Sequence, residues 1–248
     1  MKNVYHILNG DALKAHFPNK LKGELIIFRE CLVDGEVGGE TDKAFYQTRA
    51  RFISEEYEGC TASSYFEKTV PELEKIKGIH REAEVNLWFE DDLFCQVNCW
   101  YVLDCLHSQN HLGEVYLVRP STDLMFGFSA LDQEGLKKVF QKRQKVTKEE
   151  LKRFSGLWKN YLFKNDSELY EIVNELKEKY SFLYEVVEAE VARKAPEGEY
   201  NRPEKSLLTI MSDLGTKEFG PVFREFCKRE SIYGFGDLQV KRILKKLH

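Results

Sequence analysis

The sequence predicts an α/β fold: an open, mostly parallel, Rossmann-like sheet of four strands with helices on both faces, followed by an all-helical part. Three observations predict it. In the first half, four short runs rich in β-branched and aromatic residues alternate with helical patterns, the order that builds a parallel sheet. Those runs are almost continuously apolar rather than alternating, as strands buried on both faces are. Beyond about residue 131 the strand signal stops and the 3.6-residue period continues alone. The expected division is a ligand-carrying α/β domain over residues 1–130 and a helical domain over 131–248. That agrees with a 248-residue chain and roughly 150 residues per domain.

The strands are VYHIL at 4–8, ELIIF at 24–28, VNLWF at 85–89 and EVYLV at 114–118. Between them ALKAHF, AFYQTRARFISEEY, SYFEKTVPELEKI and DLFCQVNCWYVLDCL read as helices. The last is the clearest: Leu93, Phe94, Val97, Trp100, Tyr101 and Cys105 recur at three and four, with Asp92 as its N-cap. In the second half, Thr147 to Glu150 forms a capping box that opens a helix to about Leu162. SELYEIVNELKEKY and FLYEVVEAEVARK are two further amphipathic helices, and PEGEYNRP is a breaker-rich connection. EKSLLTIMSDL stops at Gly215, KEFGPVFREFCKRE follows, and DLQVKRILKKL closes the chain. Residues 203–248 thus have the outline of a helix-turn-helix-like unit.

Charge and cysteine content narrow the function classes. Residues 1–131 carry 13 Lys+Arg against 21 Asp+Glu, the remainder 24 against 20, so the net −4 divides into −8 and +4. The six cysteines, at 31, 60, 95, 99, 105 and 227, lack any paired metal-type spacing, and reduced thiols with no structural zinc are expected. No run approaches about 18 apolar residues, which excludes a spanning helix. The opening MKNVYHILNGD does not read as a signal peptide, so a soluble, cytoplasmic protein without membrane contact is expected.

Ligands of open α/β sheets bind outside the carboxyl ends of the strands. Asn9, Gly10 and Asp11 follow the first strand, Arg29, Glu30 and Asp34 the second, Glu90 to Asp92 the third and Arg119 the fourth, with His6 inside the first. Charge is seldom gathered at a sheet end unless it is solvated or used. Each residue also has a purely structural account. Asp11 and Asp92 sit where a helix wants a cap, and Gly10 where a strand-to-helix turn wants a glycine. His6 fits a buried, hydrogen-bonded histidine equally well. Arg49 and Arg51 fit a solvated helix face, and Cys95 a small buried residue whose thiol a helix N-terminus would acidify. No G-x-G-x-x-G or Walker A lysine is present, so a dinucleotide or P-loop site has no support.

HILNGDAL at 6–13, FRECLVDGEV at 28–37 and LWFEDDLFCQVN at 87–98 together resemble an uncharacterised bacterial family, domain-of-unknown-function family 1835. The likeness rests on His6, Gly10 and Asp11, then Arg29, Asp34 and Gly35, then Trp88, Asp92 and Gln96, with Arg49 at a position where the family tends to carry arginine. Val37 departs from it, standing where proline is common, and YGFGDLQVKRILKKL resembles the family's C-terminal segment. The family brings no assigned reaction; the resemblance implies that the sheet-edge residues share one site.

Two functions remain open. In the first, the chain binds or acts on a small anionic ligand, phosphorylated or nucleotide-like. Arg29 binds its anionic group, and His6, Asp11, Glu30 and Asp92 supply acid–base groups or hold a divalent cation such as magnesium. Asn9, Gly10, Asp34, Arg49, Trp88 and Gln96 complete the ligand site. In the second, the chain is a regulator or interaction protein whose C-terminal helix, with Lys241, Arg242, Lys245 and Lys246, enters the DNA groove. A pI near 6.0 weighs against strong nucleic-acid affinity.

Overall fold

A computed structural model describes residues 3–120 and 127–247. The chain begins with β1 (Val4–Asn9) and the single-turn α1 (Asp11–Lys14), then β2 (Glu24–Phe28). Three helices follow: α2 (Asp42–Glu56), α3 (Ala62–Lys68) and α4 (Val70–Lys77). Next come β3 (Glu84–Trp88), α5 (Leu93–Ser108), β4 (Val115–Val118), α6 (Gln133–Gln141) and β5 (Gln144–Val146). The rest is helical: α7 (Lys148–Leu162), α8 (Asp166–Leu176), α9 (Phe182–Ala192), α10 (Arg202–Leu214), α11 (Phe219–Arg229) and α12 (Asp237–Lys246). The fold is α/β, as expected from the sequence.

The sheet has five strands rather than four, in the order β2-β1-β3-β4-β5. The first four are parallel and β5 runs antiparallel along β4. The fifth is invisible to patterning because it is three residues long and offers only Val146 to the core. Its lysine, Lys145, suits an edge strand, where charge discourages further pairing. Successive strand residues face opposite layers. Ile7, Ile26, Leu87 and Leu117 enter one apolar cluster, and Leu8, Ile27, Trp88 and Val118 the other. This two-sided burial is why the strand sequences show no polar alternation.

The two layers are unequal. α1, α6 and a 3-10 turn at Gly127–Ala130 cover one face through Leu13, Phe17, Leu136 and Phe128. The other face carries α5, and beyond it the same apolar cluster continues into α7, α8 and α9 and reaches Val222, Phe226, Val240 and Leu244 of the last helices. α5 therefore lies between sheet and helices. The predicted single apolar stripe is too narrow: Cys95, Gln96, Val97, Asn98, Cys99 and Trp100 are buried in succession, which one face of a helix does not achieve. The caps expected at Asp92 and Thr147 form. Asp92 accepts from the Cys95 N–H at 2.8 Å, and Thr147 and Glu150 complete their capping box. No helix among the described residues is long and apolar enough to cross a membrane.

Candidate functional site

With β2 beside β1 on one side and β4 beside β3 on the other, the connections leaving β1 and β3 diverge. The gap between their carboxyl ends is the switch point at which open α/β sheets bind ligands. A cavity of about 290 Å³ lies there. Asn9 comes to it from the end of β1, His16 from beyond α1, Glu90 and Asp92 from the turn after β3, and Cys95 from the first turn of α5. Trp88, Phe94 and Phe128 supply apolar wall, and Gly234 closes it from the C-terminal segment. A larger hollow of about 460 Å³ runs along Asp42, Tyr101 and Trp158, away from the switch point, and its lysine, Lys77, is paired with Asp42.

The polar groups of the crevice are held in place. Asn98 donates to Asn9 Oδ1 at 3.0 Å, which turns the Asn9 amide so that Nδ2 donates to Cys95 Sγ at 2.9 Å. Glu90 accepts from the Phe128 N–H at 2.7 Å, and its own carbonyl accepts from Gln96 Nε2 at 2.7 Å. Burial, with Asp92 alongside, pushes the Glu90 carboxyl up to about 7. Burial also raises Asp92, against the pull of the Cys95 N–H. The Cys95 thiol lies well above its usual range, because burial and then the two carboxylates outweigh the helix N-terminus. The acidified thiol expected from helix position alone is thereby corrected. Glu90, Asp92 and Cys95 bring one ligand atom each to within 4.8 Å of one another.

Of the residues selected from sequence, the structure brings Asn9, Trp88 and Asp92 to this crevice. His6 is not among them. It lies fully buried in mid-strand, its Nδ1 accepting from Trp88 Nε1 at 3.2 Å and its Nε2 3.3 Å from the Lys22 carbonyl. Burial lowers its pKa. Asp11 is not a cap: Gly10, at φ +92°, holds the N-cap position, where that φ favours glycine. Asp11 instead receives Arg29 in a fork of 2.7 and 2.8 Å on the rim, the arginine holding the carboxyl below its usual range. Arg29 also donates to the Lys68 carbonyl.

Glu30 and Arg49 form a pair with no solvent exposure of either side chain. Arg49 donates further to the carbonyls of Cys31, Asp34 and Glu36, and Tyr65 donates its hydroxyl to Glu30 at 2.5 Å. Asp34 accepts from Tyr57 and from Arg242 of α12. Gln96 turns back to the Glu90 carbonyl instead of facing a ligand. The predicted convergence of His6, Asp11, Arg29, Glu30 and Asp92 on one cleft is therefore corrected. Opposite charges close into pairs at separate places, because a desolvated charge without a partner is costly.

Glu90, His16 and Cys95 are among the crevice residues that the sequence does not single out as site residues. Glu90 is legible as the first charge after β3, beside the cap Asp92. His16 carries no sequence signal beyond following a short helix. In α12, Gln239, Val240 and Leu244 are buried, Arg242 is committed to Asp34, and Lys241 pairs with Asp237 at 3.0 Å. A DNA-reading role would have to rest on Lys245 and Lys246. Comparison of the chain with protein-family models, with curated proteins and with solved structures finds no match.

Proposed function

We propose that this protein binds a small polar molecule in the crevice between the ends of β1 and β3. One observation carries the reading: at the switch point of the sheet, four separate elements bring Asn9, Glu90, Asp92, Cys95 and His16 to the wall of one cavity. Its apolar walls and few convergent polar groups are those of a small-molecule site. Direct capture of an anionic group by arginine has less support, because Arg29 is closed by Asp11 and Arg119 by Asp91. An acceptor-rich crevice favours a ligand that presents N–H or O–H donors, and admits phosphate only together with a cation.

The test is a thermal-shift screen of nucleosides, sugars and amines, each with and without its phosphate and a divalent ion. A ligand at a hundred times its Kd adds about 2.7 kcal/mol, or about 5–10 °C for a chain of this size. Ala12, exposed on the crevice wall, is the site for a blocking variant. Ala12→Trp is expected to remove the shift. A shift that survives Ala12→Trp puts the ligand elsewhere, and no shift with any class removes the proposal.

A further inference from the structure

The geometry points to a divalent metal site in this crevice, with Glu90, Asp92 and Cys95 as ligands and a zinc-class ion as occupant. The three ligand atoms lie within 4.8 Å of one another. A tetrahedral ion with bonds of about 2.0–2.3 Å spaces its ligands by about 3.3–3.6 Å, so roughly 1 Å of inward movement completes the set.

Each ligand is already oriented by a neighbouring N–H, the arrangement that outer-shell partners provide around a metal. Asn9 Nδ2 donates to Cys95 Sγ at 2.9 Å, the Phe128 N–H to Glu90 at 2.7 Å and the Cys95 N–H to Asp92 at 2.8 Å. A carboxylate has lone pairs enough to serve as cap and ligand together. The backbone is also shaped around the acids. A Cβ added at Gly127 would lie 2.1 Å from Glu90 Oε1, and one at Gly234 would lie 2.0 Å from Asp92 Oδ1.

A further observation points to an occupant. His16 Nε2, on the wall of the same cavity, is buried without a hydrogen-bond partner. It is a nitrogen donor for a ligand bound in the cavity. Charge argues the same way: among the described residues, the cavity wall carries two carboxylates and no lysine or arginine. A cation relieves the repulsion between them, and the thiol gives up its proton to solvent as it binds. The sulfur decides the class of ion. Magnesium wants an octahedron of oxygens, whereas thiolate with carboxylate suits zinc or cobalt. The cation expected from the sequence thus changes character and moves to a different set of residues.

This inference rests on the crevice of the proposed function being a working site. Its test uses the ion alone, so the two fail separately. Cobalt(II), added to the metal-free full chain, is expected to give a thiolate-to-cobalt charge-transfer band in the near ultraviolet, which zinc then abolishes. Cys95→Ser is expected to lose that band and at least tenfold in zinc affinity, with the other five cysteines in place. Asn9→Ala is expected to keep the band and weaken zinc binding about tenfold. Urea midpoints of both variants without metal check folding. If Cys95→Ser does not fold, the near-isosteric Glu90→Gln replaces it, with an expected tenfold loss of zinc affinity. Absence of the band, a band unchanged by the substitution, or magnesium binding as tightly as zinc would overturn the assignment.

Discussion

Arg49→Met removes one partner of an ion pair that is wholly out of solvent, Arg49 Nη2 lying 3.0 Å from Glu30 Oε2 with neither side chain exposed. Glu30 keeps the Tyr65 hydroxyl and the Cys31 N–H but loses the counter-charge of Arg49. The carbonyls of Cys31, Asp34 and Glu36 lose a donor together. Breaking a buried pair from one side typically costs about 3–5 kcal/mol, a large part of the about 5–15 kcal/mol that holds a domain. With an m value near 3 kcal/mol/M, the urea midpoint falls by about 1–2 M, followed by fluorescence of Trp88, Trp100 and Trp158. Arg29→Ala is the control. Its partner Asp11 is 59% exposed, and a pair of that kind is worth about 0–1 kcal/mol. The double variant Arg49→Met with Glu30→Gln keeps an acceptor for Tyr65 and Cys31 without the stranded charge, and is expected to unfold later than Arg49→Met alone. Simple additivity of the two substitutions, or a midpoint for Arg49→Met no lower than for Arg29→Ala, would refute the buried-pair account.

Four further outcomes are expected. His6 is held below its ordinary 6.5 by burial, so the unfolded chain takes up the proton first and stability is lost as pH falls below about 6.5, by up to about 1.4 kcal/mol per pH unit. Trp88 Nε1 donates to the ring, while Glu84 favours and Arg143 opposes its charge; His6→Gln should flatten the fall in urea midpoint between pH 7.5 and 5.5, and an unchanged fall contradicts this. Gly215→Ala and Gly234→Ala both force a residue into φ +61°, at about 1–2 kcal/mol, but only at Gly234 does the new carbon strike Asp92, so its Tm should drop further. Trp100→Ala should cost about 3–5 kcal/mol in chemical unfolding, since the indole is fully buried between sheet and helices. Binding of the full chain to random duplex DNA should show no steep dependence on salt in a titration; a steep slope would revive the role of the basic last helix.

What was legible in the sequence is what depends on near neighbours. The four parallel strands, the Asp92 cap, the Thr147 capping box and the stop at Gly215 each follow from the residues within a few positions. The carboxyl edge of the sheet was also legible as the place of the crevice, because chain order and strand composition imply which ends carry the turns. Asn9, Trp88 and Asp92 came with it. β5 was not legible: three residues with one buried side chain become a strand only because β4 offers an unpaired edge.

Charge pairing was decided by the tertiary structure alone. Asp11 lies 18 positions from Arg29, Glu30 lies 19 from Arg49, and Asp34 lies 208 from Arg242. Sequence shows how many charges gather at a sheet edge, but not which of them neutralise one another. That depends on distances of a few ångströms between elements remote in the chain, and Coulomb energy in a low-dielectric interior changes steeply over such distances. The same physics divided the edge into an exposed closed pair, a sealed pair between the end of β2 and α2, and the crevice where Glu90, Asp92 and Cys95 meet.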